Sequence, residues 1–257
     1  MATVRRGPLT GLILQVALLA ALGIRVDLGA AGWLAGTGYG LTVCVLLGHG
    51  LRRAGRVRLG PADWVTLARA ILTGGVTALV AQSFVRPVPV APMVALAAVA
   101  LVLDGVDGQV ARRTGTCSTL GARFDMEVDA FLILVLSVYD VPRFGAWVLA
   151  IGAMRYAFVA AAWPLPWMRG GLPPRYWRKV VAATQGVVLA AAASDLLPRL
   201  AATVAIVAAL AMLAESFGRD VAWLWRHRLP VPAPEFNPAL ELVRPAGIGS
   251  EPSLPRA

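Results

Sequence analysis

The sequence predicts an all-α membrane protein, built as a polytopic bundle of transmembrane helices. Hydrophobic residues make up 58% of its 257 residues, well above the roughly 45–50% that is typical of soluble domains. The mean hydropathy is +0.70, and the apolar residues fall into long blocks that short polar connectors separate. Blocks of this length with few charges are typical of helices that cross a bilayer. We therefore expect about eight spans.

The formal net charge of +10 has two possible meanings, a nucleic-acid partner or a membrane topology. The basic residues lie in the connectors between apolar spans and form no continuous soluble face. This placement is typical of cytoplasmic loops that contact anionic lipid headgroups. We expect membrane lipids and no nucleic acid among the partners.

Residues 1–59 are predicted to form an N-terminal transmembrane extension that ends in a basic connector. The first apolar run, about residues 9–24, follows two arginines and so also resembles a signal peptide. A second run at about 31–51 follows almost at once, without a clear cleavage site between them. The sequence therefore favours a retained helix at 9–24.

Residues 60–228 are predicted to form a membrane domain of six further spans, and residues 229–257 a proline-rich disordered tail. The six spans are expected at about 62–83, 92–106, 121–139, 144–163, 180–194 and 199–216.

Four aspartates stand out where the second of these six spans ends and the third begins: Asp104, Asp107, Asp125 and Asp129. On helices, the first pair shares a face at i, i+3 and the second at i, i+4. A single short loop joins the two helix ends, so both pairs lie at the same side of the membrane. Carboxylates in such a group repel one another unless cations lie between them, and Mg²⁺ binds carboxylate oxygens together with substrate phosphates. The pattern predicts a metal-dependent phosphoryl-transfer site.

The spacing of these residues, D-x2-D-G-x2-A-R-x8-G-x3-D-x3-D from Asp104 to Asp129, resembles the signature of the CDP-alcohol phosphatidyltransferases. The resemblance covers about residues 60–217 and implies a six-helix core that carries two extra N-terminal spans here. It implies that CDP-diacylglycerol donates a phosphatidyl group to an alcohol acceptor with release of CMP. It also implies Mg²⁺ or Mn²⁺ as the cofactor, and a homodimer.

The resemblance also suggests roles for individual residues. Asp104, Asp107, Asp125 and Asp129 are expected to bind metal, and Asp129 is expected to act as the general base. The CDP-lipid is expected to contact Asp63, Thr66, Gly108, Ala111, Arg112, Ser118 and Gly121. Asp63 stands where the family commonly has asparagine, and a helix N-cap is an equally good interpretation of this residue.

Several basic residues lie near the aspartates in sequence or in the predicted topology. Arg69 lies inside a span and needs an anion, which either the aspartates or a substrate phosphate would supply. Arg155, Arg175, Arg178 and Lys179 suggest an acceptor that carries a phosphate, such as glycerol 3-phosphate or an inositol phosphate. The last three lie among aromatic residues, and an aromatic belt with positive-inside charge explains them as well.

The distribution of charge places the N-terminus and the aspartates at the cytoplasmic face of an inner or plasma membrane. Two alternatives remain open at this stage. A membrane prenyltransferase also binds Mg²⁺ through aspartates, although such enzymes usually have two separate aspartate-rich motifs. A cation transporter would place its carboxylates near mid-membrane, and no internal repeat supports that class.

Overall fold

The computed structural model describes residues 6–55, 59–114, 118–173 and 175–228; at residues 6, 107–114 and 119 it describes the backbone alone. All regular secondary structure in these residues is helical. The eight α-helices are α1 (Arg6–Val26), α2 (Ala30–Arg53), α3 (Pro61–Ser83), α4 (Val90–Thr114), α5 (Thr119–Phe144), α6 (Leu149–Ala161), α7 (Tyr176–Ala193) and α8 (Arg199–Arg226).

The prediction of a polytopic helical bundle is confirmed. Four of the described helices are long and apolar enough to cross a membrane, namely α1, α2, α3 and α8. Shorter apolar segments lie at Val90–Val106 and Ala146–Ala161. The predicted tail at 229–257 lies outside the described residues.

Helices α4 and α8 extend furthest beyond the ends that hydropathy predicts. Helix α4 continues from Val106 to Thr114, and α8 continues about three turns beyond Ser216. In the extension of α8 Asp220 and Leu224 are buried while Arg219 is exposed, so this part is amphipathic. Hydropathy decreases where a helix becomes amphipathic, but the backbone hydrogen bonds continue, and only the structure shows the true ends.

Helix α3 is the centre of the bundle and packs against α1, α2, α4 and α5. Fourteen of its residues are buried, from Ala62 to Gln82. Small residues bring α2 close to α3, since a Cβ on Gly36 would lie 3.0 Å from the Cβ of Ala78. Buried Gln82 accepts a hydrogen bond from the Gly29 N–H at 2.9 Å. The two N-terminal helices are therefore packed directly on the central helix.

Contacts between distant loops define the two ends of the bundle. At one end Arg86 binds Asp27 at 2.8 Å, and Arg143 binds Asp195. At the other end the start of α3 meets the start of α5, because a Cβ on Gly121 would lie 2.7 Å from Asp63 Oδ1. The helices thus alternate in direction, and the aspartate motif lies at the second end.

Candidate active site

Three of the four predicted aspartates come together between α4 and α5, which both pack against α3. Asp104 lies on α4, and Asp125 and Asp129 are one helical turn apart on α5. One ligand oxygen from each lies within 4.8 Å of the others. Their side chains are 31–37% exposed, so the cluster is half-buried and retains a side open to solvent. Such a set of oxygens can hold a divalent cation.

The Arg69 side chain lies against this cluster and is only 2% exposed. Its guanidinium contacts Asp104 Oδ1 at 3.0 Å and forms ion pairs with Asp125 and Asp129. Its Nε also donates a hydrogen bond to the Ala100 carbonyl of α4 at 3.3 Å. The sequence left two anions open for Arg69, and the structure shows that the aspartates pair with it. One side chain of α3 therefore connects α4 to α5 at the site.

The charge of the cluster fits a divalent cation. Three carboxylates contribute −3 and Arg69 contributes +1, so these four side chains carry a net charge of −2. Carboxylate oxygens are hard ligands, and Mg²⁺ and Mn²⁺ both accept them. The donor atoms and the charge therefore suit the metal that the sequence predicts.

Four of the residues predicted to bind the CDP-lipid, namely Asp63, Thr66, Ser118 and Gly121, lie where α3 and α5 begin. Asp63 Oδ2 accepts a hydrogen bond from the Gly60 N–H at 2.8 Å. Gly60 is the N-cap and Asp63 the third helical residue, so the prediction of Asp63 as the N-cap is wrong, and its side chain instead accepts the N–H of the residue that is. Ser118 caps α5, because its hydroxyl accepts a hydrogen bond from the Gly121 N–H at 2.9 Å. Both polar groups thus help to hold the helix starts.

Thr66 follows Asp63 on α3 and is also buried. Its hydroxyl donates a hydrogen bond to the Ala62 carbonyl at 3.2 Å. The backbone of Asp107, Gly108, Ala111 and Arg112 continues α4, but their side chains lie outside the described residues. Their predicted roles in binding metal and CDP-lipid stay predictions.

Arg155 is the predicted acceptor residue that lies beside the motif helix. Its Nη2 forms an ion pair with Glu127, and its Nη1 contacts the sulfur of Met126 at 3.0 Å. Its Nε is buried and has no hydrogen-bond partner among the described residues. Sequence reasoning did not identify Glu127, and the structure shows that it is the partner of Arg155.

The other three predicted acceptor residues lie at the start of α7. Arg178 donates a hydrogen bond to the Pro173 carbonyl, and its Nη1 lies 3.6 Å from Asp220 on α8. Arg175 precedes the helix and is half-buried, and Lys179 is exposed. Arg178 thus connects α7 to α8, which is a structural role that the sequence did not indicate.

A cavity of about 370 Å³ lies at the opposite end of the bundle, away from the aspartates. Its wall includes Asp140, which is 1% exposed and whose Oδ2 has no hydrogen-bond partner among the described residues. Asp140 is three turns beyond Asp129 on α5, or about 16 Å along the helix axis. Sequence reasoning did not identify this residue, because one aspartate near a helix end resembles an exposed one.

Comparison with known proteins agrees with this geometry. A family model described as CDP-alcohol phosphatidyltransferase matches residues 60–218, well over half of the chain. No curated protein and no solved structure matches significantly. The match begins at the N-cap of α3, includes the whole aspartate cluster and ends within α8. The chain therefore belongs to the CDP-alcohol phosphatidyltransferase family.

Proposed function

We propose that this membrane transferase moves the phosphatidyl group of CDP-diacylglycerol to the hydroxyl of an alcohol and releases CMP, with Mg²⁺ or Mn²⁺ as cofactor. The observation that supports this most strongly is the half-buried cluster of Asp104, Asp125 and Asp129. It combines metal-binding oxygens with a side open to solvent, at one end of an apolar bundle. A lipid-borne donor and a water-soluble acceptor can meet there.

The chemical difficulty of this reaction is charge. The attacked phosphorus carries negative oxygens, and the departing CMP gains a further negative charge. Asp104, Asp107, Asp125 and Asp129 would hold the metal, which supplies positive charge to the diphosphate oxygens and to the leaving group. Asp129 accepts the proton of the acceptor hydroxyl as general base, and Arg69 holds its orientation through one oxygen.

The donor is positioned by residues at the starts of α3 and α5 and along the last turns of α4. Arg112 binds phosphate oxygens, for which the guanidinium is geometrically suited, while Gly108 and Ala111 leave room for the nucleotide. Asp63, Thr66, Ser118 and Gly121 contact the nucleotide from the starts of α3 and α5. The capping bonds of Asp63 and Ser118 support this role, because they hold both helix starts in place beside the site.

The acceptor carries a phosphate in this proposal, as glycerol 3-phosphate or an inositol phosphate does. Arg155 supports it, since its Nε is buried without a partner among the described residues and its other nitrogens face α5. Arg175, Arg178 and Lys179 add positive charge at the same end of the bundle. Glu127 now neutralises Arg155 and would compete with an acceptor phosphate for it.

The site faces the cytoplasm of an inner or plasma membrane in this proposal, and the protein acts as a homodimer. Support for the orientation comes from the basic residues at the motif end, such as Arg52, Arg53 and Arg123, because cytoplasmic loops carry an excess of positive charge.

The proposal is tested by supplying purified protein with CDP-diacylglycerol, Mg²⁺ and a panel of alcohols, while CMP and lipid products are measured by mass spectrometry. We expect CMP release that a chelator abolishes.

Asp129→Asn should lower turnover by about 10²–10⁴-fold, as loss of a general base does. Asp140→Asn is the matched control, because it changes an aspartate at the far end of the same helix. Consumption of a prenyl diphosphate without CMP release would favour a prenyltransferase, and full turnover in Asp129→Asn would exclude that residue as the base.

A second experiment tests the acceptor. Arg155→Gln should raise the KM of a phosphorylated acceptor and leave the KM of CDP-diacylglycerol unchanged. Glu127→Gln should lower the acceptor KM, because it frees Arg155 from its present partner. If only uncharged alcohols react, the phosphate-bearing acceptor is wrong.

A further inference from the structure

Arg69 occupies the buried side of the aspartate cluster. Its side chain is 2% exposed, whereas the side chains of Asp104, Asp125 and Asp129 are 37%, 36% and 31% exposed. The guanidinium thus approaches the carboxylates from within the bundle, and their open side faces away from it. Arg69 pairs with the Oδ1 atom of each of the three carboxylates.

The same guanidinium connects three helices. It extends from α3, pairs with Asp104 and the Ala100 carbonyl on α4, and pairs with Asp125 and Asp129 on α5. Three carboxylates this close would repel one another and separate without a cation among them. A planar group with five N–H donors can bind several carboxylate oxygens in a fixed geometry, which a lysine ammonium cannot do.

We infer that Arg69 is a positioning residue that aligns the three carboxylates so that their open side binds a divalent cation. This inference rests on the metal dependence proposed above. In this role Arg69 contacts neither the substrate nor the reacting atoms. Ligands that a neighbouring hydrogen-bonded group holds in place bind metal more tightly than free ones, and loss of such a group weakens binding by about 10–100-fold.

The direction in which metal affinity changes when Arg69 is replaced distinguishes alignment of the carboxylates from simple electrostatics. A positive charge beside a metal site repels the metal, so Coulomb's law alone predicts tighter metal binding when Arg69 is neutralised. Alignment predicts the opposite, because the released carboxylates separate and the site loses its geometry. A direct measurement of metal binding therefore decides between the two.

The experiment is an Mn²⁺ titration of the purified full-length protein without substrates, followed by electron paramagnetic resonance. We expect Arg69→Gln to raise the Mn²⁺ dissociation constant by about 10–100-fold. Arg69→Lys should raise it by a smaller factor, because the ammonium still draws the carboxylates together but lacks the planar group that aligns them. The matched control is Arg143→Gln. Arg143 also connects helices, through Asp195 and the Ala192 carbonyl, but at the other end of the bundle, so its loss should lower thermal stability and leave Mn²⁺ binding unchanged.

Unchanged or tighter Mn²⁺ binding in Arg69→Gln would overturn the inference while leaving the proposed function intact. If Arg69→Gln does not fold, Arg69→Lys decides, since unchanged binding in that variant also overturns it. A wild-type protein that binds no Mn²⁺ would overturn the metal dependence and this inference together.

Discussion

Gly121 offers a direct test of how closely α3 and α5 must approach at the site. A Cβ at this position would lie 2.7 Å from Asp63 Oδ1 and 3.0 Å from Ser118 Oγ. Ordinary contacts begin at 3.4 Å, so Gly121→Ala requires a movement of about 0.7 Å at the first of these contacts. Asp63 cannot move freely, because it is 4% exposed and bonded to the Gly60 N–H. The helix starts must therefore separate.

Overpacking of this kind costs about 1–3 kcal/mol, against at most about 1 kcal/mol that alanine gains over glycine in a helix. Gly38→Ala provides the matched control, because Gly38 is an exposed helical glycine with nothing within 4 Å of an added Cβ. Both variants replace a helical glycine by alanine, so the difference between their free energies of unfolding measures the cost of the crowding at Gly121. A difference of about 1–3 kcal/mol corresponds to roughly 2–12 °C in Tm for a chain of this size.

The assay is thermal unfolding of the detergent-solubilised protein, combined with the KM for CDP-diacylglycerol. Gly121→Ala should unfold at a lower temperature than Gly38→Ala and should raise this KM, because Asp63 and Ser118 are displaced. Equal melting temperatures for the two variants would refute the reasoning that the motif glycine permits close helix approach.

Three further predictions concern the rest of the bundle. Gly152→Ala should lower Tm by more than Gly121→Ala. Its Cβ would lie 2.5 Å from a backbone atom of α5, so α5 and α6 must separate. An unchanged Tm would contradict this. Asp140→Asn should leave transfer activity unchanged and keep or raise Tm. It replaces a buried carboxylate, one oxygen of which has no hydrogen-bond partner among the described residues, by a neutral amide. A lower Tm would indicate a partner for that oxygen. Gln82→Leu should destabilise the protein by about 1–3 kcal/mol, because it leaves the N–H groups of Gly29 and Gly32 without their acceptor; urea or thermal unfolding measures this loss.

Much of the architecture could be predicted from local patterns. The apolar blocks place α1 to α8 in the correct order, and the i, i+4 spacing places Asp125 and Asp129 on one face of α5. The short loop after α4 predicts that Asp104 lies at the same end, as the structure confirms. These predictions succeed because helical periodicity and hydropathy depend on neighbours within a few residues along the chain.

The helix ends and the buried polar groups away from the motif could not be predicted in this way. Hydropathy decreases before α4 and α8 end, because their last turns leave the apolar region while the backbone hydrogen bonds continue. Asp140 gave no signal either, since its burial comes from the packing of distant segments. Asp63 is not the N-cap, because Pro61 begins the helix two residues earlier and Gly60 takes the cap position.

The sequence by itself determined the class of the protein, its family resemblance and the spacing of the four motif aspartates. Only the tertiary structure decided how their charge is balanced. The sequence left both the aspartates and a substrate phosphate open as partners for Arg69, and it did not pair Arg155 with Glu127. Arg69 is separated from Asp125 by 56 residues and Arg155 from Glu127 by 28. Pairs so distant in sequence meet only because α3 packs against α4 and α5, and α6 against α5, and that packing follows from the shape of the whole core.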